Sequence, residues 1–150
     1  MINRFASVLY LLGILIAGFG ALMLIPLAIS WLIADGAHSA YDEAVLITFA
    51  AGTLLALSVR GRRREMHVRE SFLLVALIWS LLPAFGALPL YLHIDGLSWT
   101  DAYFEAVSGL TATGATVLSG LDALPLSINF WRTFMHWVGG LGVVVLAVAI

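Results

Sequence analysis

The chain has 150 residues, of which 62% are hydrophobic and only 11% are charged, and its mean hydropathy is +1.04. A soluble domain is nearer half apolar and about one quarter charged, so this composition excludes a soluble globular domain, a disordered chain and a nucleic-acid-binding protein. Cysteine is absent, which excludes disulfides, thiolate metal sites and thiol redox chemistry. The solvent that suits such a chain is lipid.

Long uncharged runs predict four membrane-spanning helices. A span needs roughly 20 apolar residues, and four stretches of the sequence approach or exceed that length. We predict spans at about 8–33, 42–59, 71–92 and 131–150. The first run is too long for the apolar core of a signal peptide, and no clean cleavage site closes it, so that alternative is rejected.

The arginines orient these spans. All seven basic residues are arginines: Arg4 precedes the first span, five lie within 60–70, and Arg132 stands alone. Positively charged loops stay in the cytoplasm, so we expect the N-terminus and the loop 60–70 to be cytoplasmic and the acidic segments 34–42 and 93–130 to face outward. Nucleic acid or lipid phosphate is the alternative ligand of the arginine cluster, but its place between two spans favours a topological role.

The segment between the third and fourth spans is neither a soluble domain nor a tight turn. Its middle, residues 106–121, carries no charge, and half of it is Ser, Thr or Gly. Irregular backbone at membrane depth is tolerated only when it is buried in protein or lines a watery cavity. A re-entrant segment that enters from outside and returns there fits both properties. The simpler alternative is an outer loop packed against a helix.

A short helix is predicted over residues 99–110, ahead of the glycine-rich stretch. Ser98 and Asp101 have capping-box spacing, and Asp101 and Glu105 lie near the helix start, where the dipole favours negative charge. Both acids are also candidates for a cation entrance, but helix stabilisation is the simpler role.

Arg132, at the head of the fourth span, is a third candidate for this entrance. It could form an ion pair with Asp101, Glu105 or Asp122, and a surface pair of this kind contributes about 0–1 kcal/mol.

The residues after this helix have the composition of a cation path built from backbone oxygens. Carbonyl groups that replace an ion's hydration water must point to one side, and Gly114 tolerates the dihedral angles that this requires. The helix C-terminus carries partial negative charge toward the same place, and the absence of a carboxylate in 106–121 argues against a divalent ion. The predicted filter for a monovalent cation comprises Thr111, Ala112, Thr113, Gly114, Ala115 and Thr116.

Several ordered motifs resemble the first pore repeat of Trk-H type potassium-uptake proteins, of the Trk/Ktr/HKT superfamily. The motifs that carry the resemblance are Gly86–Pro89, Asp101–Glu105, Ser108–Thr111, Thr113–Thr116, Gly120–Asp122, Leu124–Pro125, Trp137 and Gly139–Gly142. The resemblance implies an all-α integral membrane fold of the potassium-channel type. In that fold, 1–59 is an N-terminal helix pair, 60–70 a cytoplasmic loop, and 71–150 the first helix–re-entrant pore loop–helix repeat.

The resemblance also implies potassium uptake across the bacterial cytoplasmic (inner) membrane, with symport of protons or sodium as a possible coupling. K⁺ would be held by Thr111, Ala112, Thr113 and Gly114. The implied partners are the lipid bilayer, three further pore repeats, a second copy in a homodimer and a cytoplasmic nucleotide-binding regulatory subunit. Neither an organic cofactor nor a nucleic acid is expected.

Two departures from the family pattern matter. Ala112 stands where the family usually has threonine, so a hydroxyl near the filter is lost and the choice between K⁺ and Na⁺ is left open. One repeat cannot close a ring of carbonyls. We therefore expect the chain to be part of a longer protein, with a truncated reading frame or assembly of several copies as alternatives.

Two other functions are left open by the sequence. One is a non-conducting membrane scaffold or assembly subunit, with 106–121 as a packed outer loop. The other is an intramembrane enzyme using Glu105 and His136, although nothing in the sequence orients that pair. The sequence has no nucleophile–base–acid set, histidine metal-ligand spacing or phosphate loop, so an enzyme is not expected.

Overall fold

The computed structural model describes residues 5–62 and 67–149. Within these ranges the α-helices are, in chain order, α1 (Ala6–Leu22), α2 (Leu24–Ile33), α3 (His38–Val59), α4 (Val68–Gly86), α5 (Leu88–His93), α6 (Trp99–Leu110) and α7 (Leu126–Ala149). Two short 3₁₀ turns, Arg60–Arg62 and Leu121–Ala123, follow α3 and precede α7. Of the residues used to predict the topology, Arg4, Arg63, Arg64 and Glu65 lie outside the described ranges.

Three apolar helical segments in the described residues are long enough to cross a membrane. They cover Ala6–Ile33, His38–Val59 and Val68–His93, and each extends a few residues beyond its predicted span. The polar start of α3 accounts for the largest extension, because a helix continues past the apolar run that hydropathy detects. α7 likewise begins at Leu126, five residues before the predicted 131.

Two of these long segments are interrupted at prolines. α1 gives way to α2 in the turn before Pro26, whose missing N–H leaves the carbonyl of Leu22 without its helical donor. α4 gives way to α5 at Pro89, which takes a position in the first turn of the new helix. Pro83, by contrast, lies inside α4.

α1 and α3 approach each other closely at two glycines. A Cβ at Gly13 would lie 2.6 Å from the backbone nitrogen of Ala56, and a Cβ at Gly52 would overlap the backbone nitrogen of Ala17. In lipid, helix association depends on close van der Waals packing, and small residues permit it. These glycines therefore hold the N-terminal helices together as one hairpin.

The hairpin packs against the rest of the chain around Trp131, which is fully buried. The Trp131 indole N–H donates to the carbonyl oxygen of Gly86 at 2.9 Å, and the ring centroids of Trp131 and Phe19 are 5.4 Å apart. A Cβ at Gly86 would lie 2.9 Å from the sulfur of Met135. α1, α4 and α7 thus meet at one point, where Trp131 is a packing residue.

The beginnings of α1 and α4 lie at the same end of the structure. Phe5 lines a cavity of about 660 Å³ together with His67, Val68, Arg69 and Glu70. The carboxylate of Glu70 accepts the backbone N–H of His67 at 3.1 Å, which stabilises the start of α4. Among the described residues, the starts of α1 and α4 are therefore neighbours at one end of the helices.

The hairpin contact can be tested by a matched pair of substitutions on α1. Gly13→Ala is expected to destabilise the protein because overpacking of this kind costs about 1–3 kcal/mol. Gly18→Ala gives the same gain in helix propensity, but its new Cβ would have no neighbouring atom within 4 Å. The measurement is the midpoint of thermal unfolding of the complete, detergent-solubilised protein. Equal midpoints for the two variants would contradict the close α1–α3 contact.

Candidate ion-binding loop

α6 occupies the residues predicted for the short helix, and polar contacts fix its start. The Ser98 hydroxyl accepts the N–H of Asp101 at 3.1 Å and donates to the Asp101 carboxylate at 2.7 Å. On the next turn, the Tyr103 hydroxyl donates to the carbonyl oxygen of Ser80 on α4 at 3.0 Å. Asp101 therefore serves the helix start, where its charge also complements the dipole.

The end of α6 lies directly against α7. A Cβ at Gly139 would overlap the carbonyl oxygen of Leu110, and a Cβ at Gly109 would lie 3.1 Å from the Cβ of Met135. A Cβ at Gly140 or Gly142 would have no neighbour within 4 Å, so among the three glycines of α7 the close approach is confined to Gly139. α7 thereby determines where the partially negative C-terminus of α6 points.

The loop that follows α6 contains two left-handed residues separated by one position. Ala112 has φ 54° and Gly114 has φ 77°, and residues 111–117 are exposed in this chain. In an extended chain, successive carbonyl groups point to opposite sides. When every second residue adopts a left-handed backbone conformation, successive carbonyl groups can point to the same side. Alanine bears this conformation at less cost than a β-branched threonine would.

Ser108 fastens this loop to α6. Its carbonyl oxygen accepts the N–H of Thr113 at 2.9 Å, and its hydroxyl donates to the carbonyl oxygen of Ala115 at 2.6 Å. The hydroxyl groups of Thr111 and Thr113 lie 2.7 Å apart. Ser108 therefore holds both flanks of Gly114, and the Ala115 carbonyl is directed toward α6. The sequence offered no signal for this role of Ser108 beyond its place in a Ser-Gly-Leu-Thr motif.

Glu105 holds the far end of the same loop. One carboxylate oxygen accepts the Thr116 hydroxyl and, at 2.7 Å, the N–H of Val117. The other accepts two N–H groups of the Arg132 guanidinium, Nε at 3.1 Å and Nη2 at 2.9 Å. The Glu105 side chain is 2% exposed and that of Arg132 is 14% exposed. Pairing and complete hydrogen bonding are what make a buried carboxylate tolerable.

Glu105 is one of the three acids that the sequence offers as a partner of Arg132, but the pair is largely buried and not the surface pair that was expected. Both oxygens of Glu105 are engaged within the chain, so the carboxylate braces the loop from behind. Arg132 pairs with Glu105 and not with Asp101 or Asp122. Because α7 begins at Leu126, Arg132 lies in its second turn, where the helix packs alongside α6. His136 lies 2.8 Å from the carbonyl oxygen of Arg132 on its own helix, and no contact joins it to Glu105 among the described hydrogen bonds.

A second carboxylate links the N-terminal hairpin to α7. Asp35, between α2 and α3, accepts the N–H of Ser127 at 2.9 Å and that of Ala37 at 3.2 Å. The Tyr41 hydroxyl donates to the carbonyl oxygen of Ser127 at 2.9 Å. Since the first N–H groups of a helix have no partner within it, Asp35 caps α7 from a distant part of the chain. Sequence reasoning missed this contact, because the two residues are 92 positions apart.

The same contacts determine the charge of Asp35. Burial alone raises the pKa of Asp35, but hydrogen bonds from Ser30, Ser127 and Ala37 outweigh it and lower the pKa from 3.8 to about 2. Donors that stabilise a carboxylate favour its ionised form. Asp35 is therefore charged over the whole physiological pH range.

Comparison with known proteins agrees with this architecture. A membrane fold with one short helix and an exposed backbone loop is the kind of framework that ion-transport proteins use. Residues 37–150 match the family model described as TrkH, cation transport protein. The chain belongs to this family. The fold prediction of an all-α integral membrane protein is confirmed, and membership of a transport family excludes the enzyme alternative.

Individual relatives show how much of such a protein the chain covers. It is 49% identical over 144 residues to the Trk system potassium uptake protein TrkH of Halomonas elongata, covering 95% of the chain and 30% of that protein. The corresponding protein of Escherichia coli K12 is 42% identical over 148 residues, covering 98% of the chain and 31% of that protein. The crystal structure of the potassium transporter TrkH from Vibrio parahaemolyticus matches with a TM-score of 0.90 at 39% identity, covering 97% of the chain and 31% of that structure. The chain thus spans about 30% of the length of these relatives.

The Glu105–Arg132 pair predicts a large effect from a small substitution. Glu105→Gln keeps the shape of the side chain but leaves the Arg132 guanidinium without its counter-charge. Breaking a buried pair in this way costs about 3–5 kcal/mol, less where water reaches the arginine. A matched control is Asp122→Asn, which removes an exposed carboxylate. The unfolding midpoint should fall by several degrees for Glu105→Gln and stay within error for Asp122→Asn.

The pKa of Asp35 predicts how its contribution depends on pH. Because the pKa is lower in the folded protein than its ordinary value of 3.8, the stabilisation is fully present above about pH 4. It is lost as the pH falls toward 2. The difference in unfolding midpoint between the wild type and Asp35→Asn should stay constant from about pH 5 to 8 and shrink in more acidic buffer. A difference that changes between pH 5 and 8 would contradict the lowered pKa.

Proposed function

We propose that the chain forms the N-terminal helix pair and the first pore repeat of a potassium-uptake protein of the bacterial cytoplasmic membrane. The observation that carries this proposal is the loop 111–116, exposed on its outer side and held from behind by Ser108 and Glu105. Membership of a cation transport family supports the transport of a cation. The relatives are named potassium uptake proteins, which supports potassium as that cation.

In this proposal the transported K⁺ contacts the backbone carbonyls of Thr111, Ala112, Thr113 and Gly114. These oxygens replace part of the hydration shell of the ion, and the partially negative end of α6 lowers the energy of the cation at the same place. Ala115 and Thr116 are the last two residues of the filter. They fix it to α6, because Ala115 is hydrogen-bonded to Ser108 and Thr116 to Glu105. A loop fastened at both ends resists collapse around a smaller ion, which favours K⁺ even without a hydroxyl at Ala112.

The re-entrant course of 94–125 is supported by the ends of the neighbouring helices. The start of α7 contacts the loop between α2 and α3 through Asp35 and Ser127. The span Val68–His93 begins after the arginine-rich loop and ends with α5. α5 therefore ends on the opposite side of the membrane from that loop, which is the side of the loop between α2 and α3. The segment therefore leaves from and returns to one face of the membrane, which the arginines make the outer face. Glu105 and Ser108 hold its irregular part against protein, as membrane depth requires.

The remaining partners in the proposal follow from what one repeat lacks. Residues 111–117 are exposed in this chain, and a ring of carbonyls needs three further repeats, from the rest of a longer protein or from other copies. Coupling to protons or sodium, a homodimer and a cytoplasmic nucleotide-binding subunit are carried over from the family resemblance. The N-terminus is cytoplasmic in this scheme, and the described cavity that joins the starts of α1 and α4 fits it.

Two glycines with similar backbone conformations test the filter assignment. Gly114 and Gly120 have φ values of 77° and 66°, and a Cβ on either meets nothing within 4 Å. Alanine at either position costs about 1–2 kcal/mol of backbone strain. Only Gly114→Ala is expected to lower the preference of uptake for K⁺ over Na⁺. Uptake of ⁸⁶Rb⁺ by transport-deficient cells expressing the complete protein, with and without competing Na⁺, measures this preference.

Equal selectivity of the two variants at equal membrane abundance would reject the filter assignment. Absence of K⁺-dependent uptake in the wild type would favour the non-conducting scaffold, in which 106–121 is only a packed loop.

A further inference from the structure

We infer that Asp35 is a positioning residue for ion selectivity: by capping α7 it places Arg132, and through Arg132 the carboxylate that holds the filter loop. This inference rests on the proposed function of the loop 111–116. It assigns the N-terminal hairpin, which contributes no residue to the loop, a role in the choice of ion.

The first step is the contact between the hairpin and α7. The backbone N–H of Ser127 is held by Asp35 and its carbonyl oxygen by Tyr41, at 2.9 Å each. Ser127 is fully buried, so water cannot replace either partner. Asp35 is itself fixed by the Ser30 hydroxyl and the Ala37 N–H. The first turn of α7 therefore has one position relative to the hairpin.

The second step runs along α7. Ser127 and Arg132 belong to one continuous helix, and five residues of helix span about 7.5 Å. A helix of this length moves as a unit, so a shift or rotation of its first turn displaces the guanidinium. Two turns further on, Gly139 packs directly against the backbone of Leu110, so a displaced α7 also alters its contact with the end of α6.

The third step reaches the ion-binding loop. Arg132 holds Glu105, and the same carboxylate holds Thr116 and Val117. A displaced guanidinium leaves the carboxylate with a poorer counter-charge and alters the end of the loop. Because carbonyl positions decide which ion is bound best, the consequence is a change in affinity and selectivity in addition to stability.

A cap that served only stability would behave differently. It would lower the amount of folded protein and the unfolding midpoint, but each folded molecule would keep its KM and its preference for K⁺ over Na⁺. The KM for ⁸⁶Rb⁺ and the K⁺/Na⁺ ratio, both measured per folded transporter, therefore separate positioning from stability.

The experiment compares three substitutions in the complete transporter. Asp35→Ala removes the cap and is expected to raise the KM and to lower the K⁺/Na⁺ ratio by about fivefold, equivalent to about 1 kcal/mol. Asp35→Asn keeps an oxygen acceptor for the Ser127 N–H and should recover most of this loss, since asparagine caps nearly as well. Asp42→Asn removes an exposed acid on the neighbouring helix and should leave both quantities unchanged.

A fourth variant keeps the inference testable if Asp35→Ala fails to accumulate. Tyr41→Phe removes a single hydrogen bond to Ser127 and should lower the K⁺/Na⁺ ratio in the same direction by a smaller factor. Unchanged KM and ratio in the accumulated variants of Asp35 and Tyr41 would overturn the inference. If Gly114→Ala still shifts the ratio in the same assay, the failure concerns Asp35 alone, whereas an insensitive Gly114 removes the proposed filter as well.

Discussion

One buried charge supports the loop that follows α6, and that charge is the carboxylate of Glu105. It satisfies a hydroxyl and a backbone N–H at the end of the loop and is neutralised by Arg132. A neutral acceptor would make weaker hydrogen bonds, and an unpaired carboxylate would cost more than it returns. The loop, α6 and α7 are therefore coupled. A movement of one relative to the others breaks a charge-assisted hydrogen bond of the buried Glu105 carboxylate.

The sequence predicts those parts of this arrangement that have local causes. Uncharged runs identify the spanning helices, and the Ser98–Asp101 spacing locates the start of α6 because capping acts over three residues. The Glu105 brace and the Asp35 cap could not be predicted, because each joins residues that are distant in the chain, and only packing decides which acid meets which donor. Hydropathy also cannot show that Trp131 is buried between helices, since lipid and protein interiors favour the same side chain.

Alanine at position 112 illustrates how backbone and side-chain requirements compete within one loop. A left-handed conformation strains any residue with a Cβ, and a branched side chain most. Alanine lowers that strain and gives up a hydroxyl. With Thr113 and Ala115 both tied to Ser108, hydrogen bonds to α6 still define the course of the backbone around Gly114, whatever side chain occupies position 112.

The cap that Asp35 provides has a consequence for biogenesis. A nascent chain is synthesised from its N-terminus, so the hairpin of α1 to α3 is made before α7. The carboxylate of Asp35 precedes the N–H group of Ser127 that it accepts by 92 residues. The first turn of α7 therefore depends on no later segment of the chain for this cap.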